Sequence, residues 1–192
     1  MLTLQLPSDP DRSLQTKRLT RDYSSLLSLA GAVVVLDQWT KWLVRTRLPV
    51  EGVWLPSGLD WLERYARIVH WHNRGAAFGM FQQASLVFTI LAVLVIAAIL
   101  YYFPRVDRAD WTVRVALGLQ LGGATGNLID RLLRDGTVTD FISVGSFPVF
   151  NLADSAITVG VVILLLGLWL NDRRAPASAP PAGAVDRASN GS

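Results

Sequence analysis

Cysteine is absent from this 192-residue chain. Its absence removes disulfides, thiolate nucleophiles and zinc–thiolate sites from consideration. Histidine is scarce: His70 and His72 are the only two. They alternate along one strand-like stretch and would face the same side, but no third metal ligand can be named, so they are read as surface histidines. Ser143, Ser146 and Ser155 have no histidine near them in sequence, which weakens a serine nucleophile. Charge is thin as well, 17% of residues against 51% hydrophobic, and the mean hydropathy is positive. That balance is unusual for a soluble domain, and the length suits one domain rather than two. The formal net charge is +3, yet the basic residues sit mostly beside apolar segments, the pattern of membrane flanks. No basic face alternates with stacking aromatics, which argues against nucleic acid as a partner.

What the chain has instead is long apolar runs. Four of them, over 23–44, 84–103, 111–133 and 150–170, are read as transmembrane helices. The second is the cleanest, with no charge over a length that crosses a hydrocarbon core of roughly 30 Å. A cleaved signal peptide competes for the first. That run is too long for a signal core, contains Asp37 and Lys41, and is followed by no A-x-A site. Trp39, Trp42, Tyr101, Tyr102, Trp111 and Trp169 lie at helix ends, where amphipathic rings favour the headgroup region. Four spans put both termini on one side. The basic N-terminal segment, the Arg105/Arg108 loop and the Arg173/Arg174 flank make that side cytoplasmic. The first outer loop is also basic (Arg47, Arg64, Arg67, Arg74), offset in part by Glu51, Asp60 and Glu63.

The expected fold class is therefore an all-α membrane protein with four transmembrane helices and a small extracytoplasmic β-element between helices 1 and 2. The β-element is expected within 45–83, because 65–72 is rich in β-branched and aromatic residues and Asn73-Arg74-Gly75 turns the chain after it. Residues 1–22 are expected to be a mobile cytoplasmic tail. Residues 172–192, rich in Pro, Ala and Ser, are expected to be a disordered one.

Polar residues interrupt three of the runs at one depth. At about 1.5 Å per residue, Asn127, Asp130 and Arg131 lie roughly 24 to 30 Å along a span that starts at Trp111. Asp37 and Lys41 fall in the outer half of the first span, and Asn151 and Asp154 at the start of the fourth. All would meet in one outer layer. Charges at membrane depth are costly and mark functional sites by default. Asp37 and Lys41, four apart, can pair on one helix face. Asn127, Asp130 and Arg131 also share a face. Gly118, Gly122, Gly123 and Gly126 favour close helix approach. Asn151 suits an N-cap, with Asp154 three residues on and able to face the helix N-terminus.

Asp140 lies in the link between the third and fourth runs, a short way from Asp154 and flanked by Val138, Phe141 and Ile142. Two carboxylates in a partly dry site cannot both ionise easily. One keeps a proton and polarises a carbonyl; the other activates water. That is a complete peptide-hydrolysis apparatus without a cofactor or metal. A small transporter or proton-conducting protein is the alternative. It predicts carboxylates at several depths, whereas these gather at one face. A scaffold held by the glycine-rich helix leaves the clustering of Asn and Asp unexplained.

Five blocks together resemble the bacterial lipoprotein signal peptidase (signal peptidase II) family. They are Asp37-Gln-Trp-Thr-Lys41, Asn73-Arg-Gly-Ala-Ala-Phe-Gly79, Gly122-Gly-Ala-Thr-Gly-Asn-Leu-Ile-Asp-Arg131, Val138-Thr-Asp140-Phe and Phe150-Asn-Leu-Ala-Asp-Ser155. The resemblance implies an inner-membrane aspartic endopeptidase that cuts diacylglyceryl-modified prolipoproteins just before the lipidated cysteine and is inhibited by globomycin. Matched block by block, it makes Asp140 and Asp154 the catalytic pair. Asn73, Asn127, Arg131 and Asn151 become polar supports, Gly75 a further substrate-binding or supporting position, and Asp37 and Lys41 structural or substrate-orienting. Asp130 is the main rival for a catalytic place. Membrane lipids are further expected partners.

Overall fold

The structure is a computed structural model that describes residues 10–75 and 85–174, and of residues 10–22, 171, 172 and 174 the backbone alone. Most of the expected C-terminal tail and the end of the second block, 76–79, lie outside the described residues. Four long helices are present: α1 (Pro10–Arg47), α2 (Ser85–Tyr102), α3 (Trp111–Leu133) and α4 (Leu152–Arg174). Each contains or nearly matches one of the apolar runs. α1 starts well before its run. Proline suits the first helical position, and 11–22 holds no further proline and no glycine, so nothing in those residues stops a helix.

α3 is the central helix, against which α1, α2 and α4 all pack. Its glycines make this possible. A Cβ on Gly122 would sit 2.6 Å from Val33 Cβ of α1, and one on Gly123 would collide with the Ala153 carbonyl oxygen of α4. Leu26, Ala30, Ile99, Phe103 and Leu121 form a buried apolar cluster. Elsewhere α2 turns apolar side chains outward, among them Leu86, Ile90, Val93 and Leu94. Among the described residues, Ser85–Arg105 and Leu152–Leu170 are long and apolar enough to cross a membrane.

The β-element is larger than expected and is shared between two loops. β1 (Val53–Trp54), β2 (Ala66–Asn73) and β3 (Val138–Val144) form one antiparallel sheet in that order. β1 and β2 come from the first long loop, but β3 comes from the link after α3. Asp140 is thus a strand residue rather than a loop residue. β3 is rich in β-branched and aromatic residues (Val138, Thr139, Phe141, Ile142, Val144), which favour a pleated surface. Its partner strand was too distant in sequence for local patterning to reveal.

A bulge in β2 sets the register. Ile68 pairs with Ile142, but Trp71 pairs with Asp140, so β2 carries one extra residue between them. A one-residue slip exchanges the two faces of a strand. Beyond the bulge, Trp71 and Asn73 share the face of Asp140. Without it, Asp140 would face His70 and His72. The two histidines do share a side, with ring centroids 5.0 Å apart. His70, however, is buried rather than at the surface, and its Nδ1 bonds the Leu48 carbonyl oxygen at 2.9 Å.

Candidate active site

The polar residues of α1, α3 and α4 meet at the end of the helices that carries the sheet. Of the expected site residues among the described ones, all but Arg131 are drawn into one of two joined groups, and Arg131 lies on the wall of the cleft they form.

The first group is the carboxylate pair and three asparagines. Asp140 Oδ2 accepts from Asn73 Nδ2 at 2.9 Å and Oδ1 accepts from Asn151 Nδ2 at 2.7 Å. Asp154 Oδ1 accepts from Asn127 Nδ2 at 2.7 Å and Oδ2 accepts from the Asn151 backbone N–H at 3.1 Å. Asn151 Nδ2 also reaches Asn127 Oδ1 at 3.0 Å, closing a bridge between the carboxylates. The orientation of each amide follows from its own oxygen. Asn127 Oδ1 accepts from the Lys41 ammonium, which can only donate. Asn151 Oδ1 accepts from the Asp154 N–H, and Asn73 Oδ1 from the Gly75 N–H. Each oxygen is held by a group that has no acceptor, so each NH₂ is turned toward a carboxylate.

Asn151 and Asp154 cap α4 reciprocally, satisfying amides that a helix start leaves free. Asp154 is therefore both a cap and a member of the pair. The next amide, Ala153 N–H, donates to Asp37 Oδ1 of α1 at 3.0 Å. Asp37 thus ties the start of α4 to α1. It is packed so closely that a Cβ on Gly126 would lie 2.6 Å from its Oδ2.

The second group is a buried charge network. Lys41 Nζ lies 2.9 Å from Asp37 Oδ2 and 3.5 Å from Asp130 Oδ2. Arg45 and Arg134 approach Asp130 Oδ1 at 3.6 and 3.5 Å. Asp130 Oδ2 also accepts the Thr139 backbone N–H at 3.0 Å. Asp130 is surrounded by cations and fixes β3 one residue before Asp140. Arg45, Arg134 and Thr139 were not singled out in the sequence. The arginines were within reach of spacing: Arg45 is four residues beyond Lys41 and Arg134 four beyond Asp130.

Asp140 and Asp154 line the same cleft, of about 290 Å³, with Asn73, Gly75, Asn127 and Arg131. Phe88 of α2, and Phe147 and Phe150 of the link between β3 and α4, add apolar walls that sequence reasoning missed, since the two segments are far apart in the chain. Asp130 does not line it. The Arg131 guanidinium lies 5.8 Å from the centre of the Phe88 ring. Burial pushes the Asp140 carboxyl up to about 7, and the charge of Asp154 adds to the push. Hydrogen bonds from Asn73 and Asn151, and the Lys41 charge, oppose it. A carboxyl that keeps its proton near neutrality beside a second carboxylate has the two forms that acid–base hydrolysis uses.

This combination of helices, sheet and paired carboxylates coincides with a peptidase family: the chain belongs to the Signal peptidase (SPase) II family, whose model matches residues 29–170. Curated relatives agree. A lipoprotein signal peptidase of Geobacillus thermodenitrificans (strain NG80-2) is 42% identical over 144 residues, 73% of this chain and 87% of that protein. One of Symbiobacterium thermophilum (strain DSM 24528 / JCM 14929 / IAM 14863 / T) is 42% identical over 153 residues, 78% and 97% of the two chains. A bacterial membrane enzyme solved by the in meso method at 2.3 Å resolution superposes with a TM-score of 0.71 at 30% identity, covering 82% of this chain and 94% of that one. The chain is a membrane peptidase.

Proposed function

We propose that this protein is an aspartic endopeptidase of the bacterial inner membrane that removes the signal peptide from diacylglyceryl-modified prolipoproteins, cutting just before the lipidated cysteine. The observation that carries the aspartic reading is the cleft itself. Asp140 and Asp154 open onto one space, and no other carboxylate among the described residues lines it.

The chemistry uses the pair as one unit with a shared proton. Asp140 holds that proton near neutrality and donates it in a hydrogen bond to the scissile carbonyl oxygen. Asp154 accepts a proton from a water molecule as the water oxygen bonds to the carbonyl carbon. The Asp140 proton passes to the carbonyl oxygen, giving a tetrahedral diol, which collapses as Asp154 gives its proton to the amide nitrogen, Asp140 takes one back from a diol hydroxyl and the C–N bond breaks. A carboxylic acid and an amine leave, and the pair returns with one proton. Arg131 and the Asn73–Gly75 turn, on the cleft wall, orient the substrate backbone.

All four helices span the bilayer in this reading, with both termini cytoplasmic and the cleft at the outer face. The outward apolar side chains of α2 and α4 support it. So does the gathering of Asp37, Lys41, Asn127, Asp130, Asn151 and Asp154 at one end of the bundle. The sheet then stands over the cleft where a lipid-bearing cysteine meets water. The test is cleavage of a purified diacylated prolipoprotein, with the new termini read by mass spectrometry. Cleavage just before the modified cysteine, blocked by globomycin, is expected. An intact substrate, or a cut elsewhere, would refute the proposal.

A further inference from the structure

A second cavity, of about 510 Å³, lies on the other face of β3. Successive strand residues face opposite sides. Asp140 lines the catalytic cleft and its neighbour Phe141 lines this one. One wall is a face of the last turns of α1, with Leu43, Val44 and Arg47; the other is the sheet, with Trp54, Ile68 and Phe141. The cavity is thus a slot between helix and sheet, separated from the chemistry by the strand.

Its lining is apolar, with Arg47 as the one charged side chain. Among the described residues no carboxylate lies within 4.0 Å of that guanidinium. Trp39 and Trp42 of the same helix end, and Trp54 at the slot, are all about half exposed. Indoles so placed mark the headgroup level. An apolar slot opening there, with an unpaired cation among its walls, matches a molecule that is apolar along its length and negative at its head.

We propose that this slot holds a membrane phospholipid with an anionic headgroup, an acyl chain between α1 and the sheet and its phosphate on Arg47. The proposal rests on the outer-surface placement of this end of α1, and not on the peptidase chemistry. A lipid seated there braces the sheet against α1 and so steadies the strand that carries Asp140.

The experiment uses the full-length protein, purified in detergent and stripped of lipid. Phosphatidylglycerol or phosphatidylcholine is titrated in and bound lipid counted by native mass spectrometry. Wild type should bind one phosphatidylglycerol in preference to phosphatidylcholine. Arg47→Gln should weaken phosphatidylglycerol by about fivefold or more, the effect of one basic side chain near an anionic headgroup, and leave phosphatidylcholine unchanged. Leu43→Trp, which fills the slot, should remove the bound lipid. Arg105→Gln, which leaves the slot intact, should bind as wild type does. If Leu43→Trp does not fold, Arg47→Gln decides alone. Equal binding of the two lipids by wild type, or unchanged phosphatidylglycerol binding in Arg47→Gln, overturns the proposal. So does a raised KM for diacylated substrate in Arg47→Gln with phosphatidylglycerol binding intact, which would make the substrate's own lipid the occupant. Cleavage by wild type, scored separately, tests the peptidase reading without reference to this slot.

Discussion

Lys41 is a fully buried ammonium between Asp37 and Asp130, and it also turns Asn127 toward Asp154. Removing one partner of a buried ion pair costs about 3–5 kcal/mol, because the remaining charge is left without compensation. Lys41→Met should therefore lower the midpoint of thermal unfolding in detergent strongly, and Asp37→Asn added to it should restore part of the loss. An unchanged midpoint in Lys41→Met would mean that the network contributes nothing. Asp140 makes a prediction of opposite sign. Its pKa is raised in the folded state, so between about 4 and 7 the folded chain holds a proton that the unfolded chain has lost. Its contribution favours the folded state at low pH and is lost as pH climbs through 7. Wild-type unfolding midpoints should fall over that window, by at most a few kcal/mol of stability for a shift of this size. In Asp140→Asn the fall should flatten, while activity disappears. A catalytic residue whose replacement flattens the pH dependence of stability is distinguishable from a structural one, whose loss lowers stability at every pH.

At the scale of elements, α3 sets the distances. Gly123 lets α3 approach the α4 backbone at Ala153, one residue before Asp154. Gly123→Val should push α4 away, costing about 1–3 kcal/mol of overpacking. Cleavage should fall more than stability does, because Asp154 moves with α4; a variant that inserts normally and cleaves at the wild-type rate would show that the approach is not needed. This glycine, like the meeting of the polar residues at one end of the helices, was legible in sequence: glycines along one apolar helix and charges at one end of three such helices need no partner information. The Asn151–Asp154 cap was legible too, as it is local. β3 was not recognised, although Val138–Val144 has strand composition, because a strand is defined by its neighbour and the neighbour is some seventy residues upstream. The bulge in β2 was still less accessible. Nothing in Ile68–Trp71 announces an extra residue, yet it puts Asn73 rather than His72 beside Asp140.

Across the whole molecule, polarity is segregated along the bundle. The cluster around Leu26, Phe103 and Leu121 is apolar and the outer sides of α2 and α4 suit lipid, while carboxylates, asparagines and cations converge beneath the sheet. Under the proposed function, substrate would approach through lipid and water through the sheet end, with the pair between them. The central claim is that Asp140 and Asp154 alone perform the hydrolysis and that Asp130 supports them through Thr139. The most direct measurement is turnover of a purified diacylated prolipoprotein by wild type, Asp140→Asn, Asp154→Asn and Asp130→Asn, each checked for membrane insertion and thermal unfolding. The account predicts that Asp140→Asn and Asp154→Asn insert and fold but lose about 10²- to 10⁴-fold in rate, as expected for a missing acid or base. It predicts that Asp130→Asn unfolds at lower temperature while its folded fraction still cleaves. Wild-type turnover in either of the first two, or a stable and inactive Asp130→Asn, would contradict it.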